Sequence, residues 1–449
     1  MPLTVQTVVV PTGVADVRFA DLDGDGVDEI LLLSRQPVTG QPDAASLTVV
    51  RPTEPGRGVV TVSLGNRPLF VSPAPEGTSG LWALGPSAWQ RWDTNQFVPA
   101  GAVVSPLAQL GRATPTFAEL VKGVFPGAAA RIMWSGGNYV CLRSSAPDVA
   151  CGSVPAPAQG QLSASWVQGG QVLATTLTPP PLSITDADGD GYADLLMPDH
   201  KQIAVYFTGP EAIGARAANW PVPLDLQPPE GPREKGETRR EVGNVWLDDI
   251  DGDHKADLGV LRYVTNGSFF GATAEWLYAR GTGSGFEALK SVSLPSAAFG
   301  ATLVDVDGDG DKDLVTGLVD IGMRNLATAL LSHVVRADLA VLRCSPAGFA
   351  PPAVLHSMSF PLDQSDAFHV DFEGDVDGDK HVDLVAAEDG KVNVYRGNAN
   401  GMDSNASWSA DLDVPRGQDT LVTHDVDGDG KAEIIAWGKD AGKVWILRR

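Results

Sequence analysis

Short apolar runs rich in β-branched residues alternate along the chain with turns rich in glycine, proline and aspartate. That pattern predicts strands, and no repeat sustains the apolar period of about 3.6 residues that a helix needs. The first unit sets the rhythm, with strands predicted at Ala15–Ala20, Glu29–Ser34, Ser46–Arg51 and Gly58–Leu64. Between its first two strands lies an acidic loop, and the combination recurs. It reads DLDGDGVDEILLL from Asp21, DADGDGYADLLM from Asp186 and DIDGDHKADLGVL from Asp249. Further copies are DVDGDGDKDLVTGL from Asp305, DVDGDKHVDLVAA from Asp375 and DVDGDGKAEIIAW from Asp425. The interval between the first two copies is about three times the others, so two degenerate copies are expected inside it. SPAPEGTSGLWAL from Ser72 keeps one acid, Glu76, and the loop glycine Gly77. GVFPGAAARIMW from Gly123 keeps only the apolar strand. Anchors at 21, 72, 123, 186, 249, 305, 375 and 425 then give eight regularly spaced units.

Four strands in each unit of roughly 55 residues describe a β-propeller blade. The predicted fold is all-β: a single β-propeller over residues 1–449 with eight four-stranded blades, seven being the alternative count. The last unit offers strands at Glu433–Trp437 and Lys443–Leu447 and stops one strand short. Thr4–Val10 precedes the first unit and belongs to no other, so it is expected to complete the last blade. Closing the ring in this way removes an open sheet edge. Gly317–Arg343, in an unusually long unit, is expected to form a helix or a long hairpin.

Numbering each intact loop from its first aspartate, carboxylates fall at positions 1, 3, 5 and 9. They are Asp21, Asp23, Asp25 and Glu29; Asp186, Asp188, Asp190 and Asp194; and Asp249, Asp251, Asp253 and Asp257. The remaining sets are Asp305, Asp307, Asp309 and Asp313; Asp375, Asp377, Asp379 and Asp383; and Asp425, Asp427, Asp429 and Glu433. Alternate acids in a tight loop converge on one point, where the position-7 carbonyl adds another oxygen. Several anionic oxygens are what Ca2+ requires, whereas Mg2+ tolerates few cages built from protein alone. Four acids this close would repel one another without a cation; solvated acidic turns are the plainer alternative. Glycine at position 4, and usually at 6, permits the positive backbone angles of so sharp a turn. His254 and Lys380 replace the position-6 glycine, so weaker sites are expected there. The second and third units are expected to bind no metal.

EF-hand-like loops end in a glutamate at position 12 and sit between helices, while nonapeptide calcium repeats recur every nine residues; neither pattern fits. The six loops resemble those of integrin α-subunit propellers and of bacterial FG-GAP or VCBS repeat proteins, over nearly the whole chain. The resemblance implies that calcium staples each blade edge at about six sites, with the 24 carboxylates named above as ligands. It also implies adhesion or recognition of a protein or glycan partner outside the cytoplasm, at a cell surface or in a periplasm. Two departures stand out. Integrin propellers have seven blades, and the FG and GAP signatures are eroded, only AFGATLVD near Phe299 resembling the first.

Charge changes the picture in one respect. The formal net charge of −23 excludes nucleic acid as a partner, because phosphate binding needs a basic surface. Six divalent cations would bring that −23 to about −11, so calcium is expected to be structural. No apolar stretch is long enough for a membrane span. No leader precedes Leu3–Val10, so either one has been removed or the chain is a domain of something longer. Cys141 and Cys151 are read either as a disulfide or as two buried thiols, leaving Cys344 single.

Candidate ligand-binding stretches are Ser135–Pro181, the charged Pro228–Glu241, for which a solvated excursion is the preferred reading, and Leu318–Asp366. Trp82, Trp89 and Trp92 form the densest aromatic cluster; core packing is the preferred reading over a sugar platform, as it is for Trp134, Trp246 and Trp437. A polysaccharide lyase on an eight-bladed propeller is the enzymatic alternative, and a passive scaffold in a larger surface protein is the third. A lyase needs a base and an enolate stabiliser. His200, His254, His333, His356, His369, His381 and His424 form no recognisable constellation, and His254 and His381 are read as solvent-facing loop residues. No hydrolase, metalloprotease or phosphate-loop motif is present, and no catalytic residue is assigned.

Overall fold

The computed structural model describes the backbone outside residues 1, 40, 42, 53–57, 66–68, 74–78, 86, 94, 103–115, 118–120, 126–127, 135–137, 144–153, 156–160, 169–170, 179–182, 210–215, 227–237, 267–271, 320–332, 362–369, 389, 400, 413, 415–419 and 439–440. Side chains from 101 to 182, and those of 70, 72, 73, 84, 89, 266, 360, 361 and 388, also lie outside the description. Glu76, Gly77, Cys151 and His369, with the side chains of Cys141, Trp89 and Trp134, therefore fall outside it, as do large parts of the three candidate ligand-binding stretches. Among the described residues every regular element is a strand, and no helix is long and apolar enough to cross a membrane.

The strands gather into a series of antiparallel sheets, most of them four-stranded. The first holds Val14–Ala20, Glu29–Gln36, Ala44–Val50 and Val59–Gly65, within two residues of each predicted strand. Sheets of the same order start at Val121, Ser183, Thr238, Ala297 and Val370. The sheet that starts at Phe70 carries a fifth strand, Thr116–Phe117, paired parallel to Phe70–Pro73. In the last sheet Leu421–His424, Glu433–Trp437 and Lys443–Arg448 are joined by Thr4–Val9, which pairs antiparallel with Lys443–Arg448 from Thr4 opposite Arg448 to Val9 opposite Lys443. A separate two-stranded sheet, Gln161–Gln168 with Gln171–Thr178, had no counterpart in the strand pattern. Gly317–Arg343 is a strand pair, Asp313–Val319 with Val334–Leu342, across the undescribed 320–332.

Burial follows strand order. The second strands, such as Glu29–Gln36, Asp313–Val319 and Glu433–Trp437, bury successive residues on both faces. This explains their unbroken apolar runs, since a strand sandwiched between two neighbours has no solvent side. Fourth strands such as Val59–Gly65 and Arg216–Pro221 alternate with exposed positions. Within second strands, glycine marks close approach. Gly259 lies under the Trp276 ring and Gly317 under Phe299, where a Cβ would come within 2.3 Å of the ring atoms.

The apolar cores lie between consecutive sheets. One joins Leu196, Ile203 and Val205 to Leu247, Leu258 and Leu277; the next joins Leu261 and Trp276 to Leu314 and Leu342. Another core of this kind lies between the last sheet and the first, where Ile435, Val444 and Ile446 pack with Val14, Val17, Ile30 and Leu32. First strands of successive sheets are neighbours, Ser183–Thr185 beside Thr238–Asp248 and Val370–Asp371 beside Leu421–His424. The turns that join first to second strands consequently sit side by side, and these turns are the acidic loops.

Candidate metal centres

Each loop is wound by its own aspartates. In four loops the position-1 carboxylate accepts the backbone N–H groups of positions 4 and 6: Asp305 takes Gly308 at 2.7 Å and Gly310 at 2.9 Å, and Asp375 takes Gly378 and Lys380, both at 2.6 Å; Asp249 and Asp425 accept that of position 6. Position 5 accepts the N–H of position 7, as Asp190 does from Tyr192 at 2.9 Å. The winding requires left-handed backbone at positions 4 and 6, where glycine pays no Cβ penalty. His254 and Lys380 nevertheless adopt it, with φ of 64° and 73°, against 96° for Gly310 and 84° for Gly430. Side-chain replacement has left the loop shape intact.

Position 9, the first residue of the second strand in five of the six loops, brackets the loop to the sheet. One oxygen accepts the N–H of position 2: Leu22 to Glu29 at 2.7 Å, Ala187 to Asp194 at 3.0 Å, Val376 to Asp383 at 2.8 Å. Where position 9 is aspartate, the other oxygen accepts a backbone N–H just beyond the third strand. These donors are Thr208 (2.6 Å), Gly281 (2.7 Å), Cys344 (2.7 Å) and Gly397 (2.8 Å). Where it is glutamate, the longer side chain meets an arginine instead, Arg51 at 3.3 Å and Arg448 at 3.0 Å. All six position-9 acids are buried. Burial raises Glu29, Asp194 and Asp257 to about 7 and Asp313 and Asp383 to about 6, against the lowering pull of the backbone bonds. Neighbouring loop carboxylates push in the same upward direction.

Carboxylate oxygens of Asp21, Asp23 and Asp25 lie within 4.8 Å of one another, as do those of Asp305, Asp307 and Asp309. In three loops the close group takes position 9 in place of 5: Asp186, Asp188 and Asp194; Asp249, Asp251 and Asp257; Asp375, Asp377 and Asp383. Asp25, Asp190, Asp253, Asp309 and Asp429 at position 5 are more exposed than their position-1 and position-9 partners in most loops. Several inner oxygens are buried without any partner: Oδ1 of Asp188, Asp249, Asp251, Asp307, Asp425 and Asp427. A buried carboxylate oxygen left unpaired is costly, and here all of them belong to positions 1 and 3. The donor set is oxygen only and largely anionic, which fits a hard divalent cation.

The loops also touch. Gly189 packs on His254 and Lys255, Gly252 on Gly310 and Asp311, Gly308 on Lys380 and His381, Gly378 on Gly430 and Lys431, and Gly428 on Gly26. Backbone bonds reinforce the line: Lys312 N–H donates to Ile250, Ala432 to Asp375, and Asp28 of the first loop to Val426 of the last. Beyond it, Gly80 N–H of the second sheet donates to Asp21. His254 is solvent-facing as anticipated, its side chain 87% exposed, but His381 is 25% exposed, wedged against Gly308 with Nδ1 3.2 Å from Asp379. Trp92 is half-buried and edge-on to Phe97, Trp246 packs on Trp276, and Trp437 is buried. Cys344 is a buried free thiol, and burial pushes it up to about 12.

Sequence reasoning missed the arginines of these centres. Arg280, Arg343 and Arg396 leave the third strands and pair with the position-3 acids Asp251, Asp307 and Asp377; Arg216, on a fourth strand, pairs with Asp188 at 2.9 Å. A weak signal existed, namely an arginine closing the third strand of most acidic units.

Residues 375–447 match the model of the FG-GAP-like repeat, the stretch that carries the last two acidic loops. Among curated proteins none matches. Among solved structures, the chain is similar to a lectin of Agrocybe aegerita described by its specific recognition of non-reducing terminal N-acetylglucosamine. That similarity has a TM-score of 0.45 and 13% identity, over 98% of this chain and 86% of the lectin.

Proposed function

We propose that this chain is a calcium-stabilised recognition module: a single eight-bladed β-propeller that presents connecting loops to a protein or glycan partner outside the cytoplasm. The observation that carries the metal reading is the set of buried, unpartnered aspartate oxygens at positions 1 and 3 of the acidic loops. The FG-GAP-like repeat at 375–447 supports a recognition role. Support for a closed ring comes from the pairing of Thr4–Val9 with Lys443–Arg448, the core between last and first sheets, and the Asp28 to Val426 bond.

In this reading positions 1, 3, 5 and 9 of each loop hold the ion. When bound, Ca2+ supplies charge neutralisation and a cross-link between the loop and the second strand. The protein's own residues do the rest: position 1 winds the loop, position 9 fastens it, and the neighbouring loop seals its side. Because binding favours the folded state alone, calcium adds its binding free energy to stability, about 2.7 kcal/mol per site at a hundredfold excess over Kd.

The test pairs thermal melting with ligand screening. Calcium is expected to raise Tm over the chelated protein, and glycan or protein-array binding by the loaded module is expected to fall on chelation. Equal Tm with calcium and with excess chelator would sink the metal reading. Array binding indifferent to chelation would separate recognition from the metal.

A further inference from the structure

We propose that the arginine beside each aspartate-terminated loop is a positioning residue for the cation, acting through the position-3 carboxylate; this rests on the calcium reading above. Arg280, Arg343 and Arg396 each precede a residue, Gly281, Cys344 or Gly397, whose N–H is held by the position-9 aspartate of the same unit. That bond fixes the backbone at the end of the third strand and directs the preceding guanidinium at position 3. At Asp251 and Asp307 it takes one oxygen and leaves the other facing inward, whereas Arg396 is shared between Asp377 and Asp379, and Asp377 Oδ1 accepts the Asp379 N–H at 3.2 Å. Asp251 and Asp307 show the result, with Oδ2 on the arginine and Oδ1 buried and unpartnered. The Asp251 side chain is only 1% exposed, and its Oδ2 also accepts from Tyr278. Asp188 repeats the arrangement with Arg216, an arginine on the fourth strand, in the unit whose third strand is followed by Thr208.

Two effects oppose each other. A guanidinium one carboxylate away from a divalent cation repels it, which would weaken binding. It also freezes the ligand in the rotamer that presents a free oxygen, and loss of such outer partners typically costs about 10- to 100-fold in metal affinity. The second effect prevails here because the arginine's charge is already spent on a carboxylate, and the other groups that reach position 3 are weaker: neutral backbone N–H groups of the loop and, at Asp251, the Tyr278 hydroxyl at 3.3 Å. The loops at Asp21 and Asp425 follow a different rule: their arginines, Arg51 and Arg448, are taken by the position-9 glutamates. Among the described residues no basic side chain pairs with Asp23 or Asp427.

The experiment measures calcium stoichiometry and affinity by calorimetry for the whole chain and for Arg343→Gln, Arg343→Lys and Asp307→Asn, with Tm recorded in chelator. Arg343→Gln is expected to weaken one site about 10- to 100-fold, the same site that Asp307→Asn removes. Arg343→Lys, which keeps the charge but not the planar fork, is expected to weaken that site several-fold and carries the test if the glutamine variant does not fold. An unchanged or tighter site in Arg343→Gln, or wild-type affinity in Arg343→Lys, overturns the inference while leaving the calcium reading intact. No uptake by the wild-type chain overturns both.

Discussion

At the scale of single residues, five of the position-9 acids give the metal-free protein a pH response. Glu29, Asp194 and Asp257 are raised to about 7, and Asp313 and Asp383 to about 6, mainly by burial. Unfolded carboxylates titrate near 4. Between about pH 4 and pH 7 the metal-free folded state therefore holds more protons than the unfolded state, and stability falls as pH rises. The full stabilisation is present below the unfolded value and is lost as each group ionises through its folded value. Ligation of a divalent cation requires the ionised form, so under the proposed calcium reading the stabilisation by calcium grows over the same window. Melting scans in chelator are expected to give a higher Tm at about pH 5 than at about pH 7.5, with the increment from calcium larger at the higher pH. A chelated protein more stable at the higher pH would mean that these acids are ionised at little cost.

At the scale of elements, the loop and the strand that follows it were legible because each rests on local chemistry. Asp21 to Gly26 spells its own winding, since acceptor side chains and left-handed positions alternate along six residues. The apolar run after Glu29 announces a strand buried on both faces. Partners distant in sequence were not legible. Asp307 and Arg343 meet only because the third strand returns antiparallel to the second, and Gly308 meets His381 only because the next sheet packs alongside. Nothing in either peptide encodes those approaches. The loop shape itself can be tested at Lys380, whose φ of 73° places a Cβ where glycine normally stands. Left-handed backbone costs a non-glycine residue about 1–2 kcal/mol, and the extra unfolded-state freedom of glycine returns roughly half of that. Lys380→Gly is thus expected to stabilise the chelated protein by about 0.5–1 kcal/mol in denaturant titrations. A destabilised variant would show that the lysine side chain contributes more than its backbone costs.

At the scale of the whole molecule, Thr4–Val9 and Lys443–Arg448 bring the first described strand of the chain beside the last. Thr4–Val9 covers the outer edge of Lys443–Arg448, and Val8 and Val10 enter the core shared by the last and first sheets. Thr4 Oγ1 donates to the Arg448 carbonyl, and Arg448 reaches both Gln6 and Glu433. One short strand therefore links the sheet edge, the core between last and first sheets and the bracket of the loop at Asp425. Without it, Lys443–Arg448 would offer a row of unpaired backbone groups, the kind of edge that recruits other chains. Two valines would leave the core at the same time, each worth about 1.5–3 kcal/mol when fully buried. Deletion of residues 2–10 is accordingly expected to lower Tm and to produce concentration-dependent association in light scattering. A synthetic peptide of residues 2–10 added in excess is expected to reverse both, because it can pair with the vacated edge in the native register. A deletion variant with the Tm and association state of the intact chain would mean that the last sheet is complete with three strands, and the proposed closure by Thr4–Val9 would fall with it.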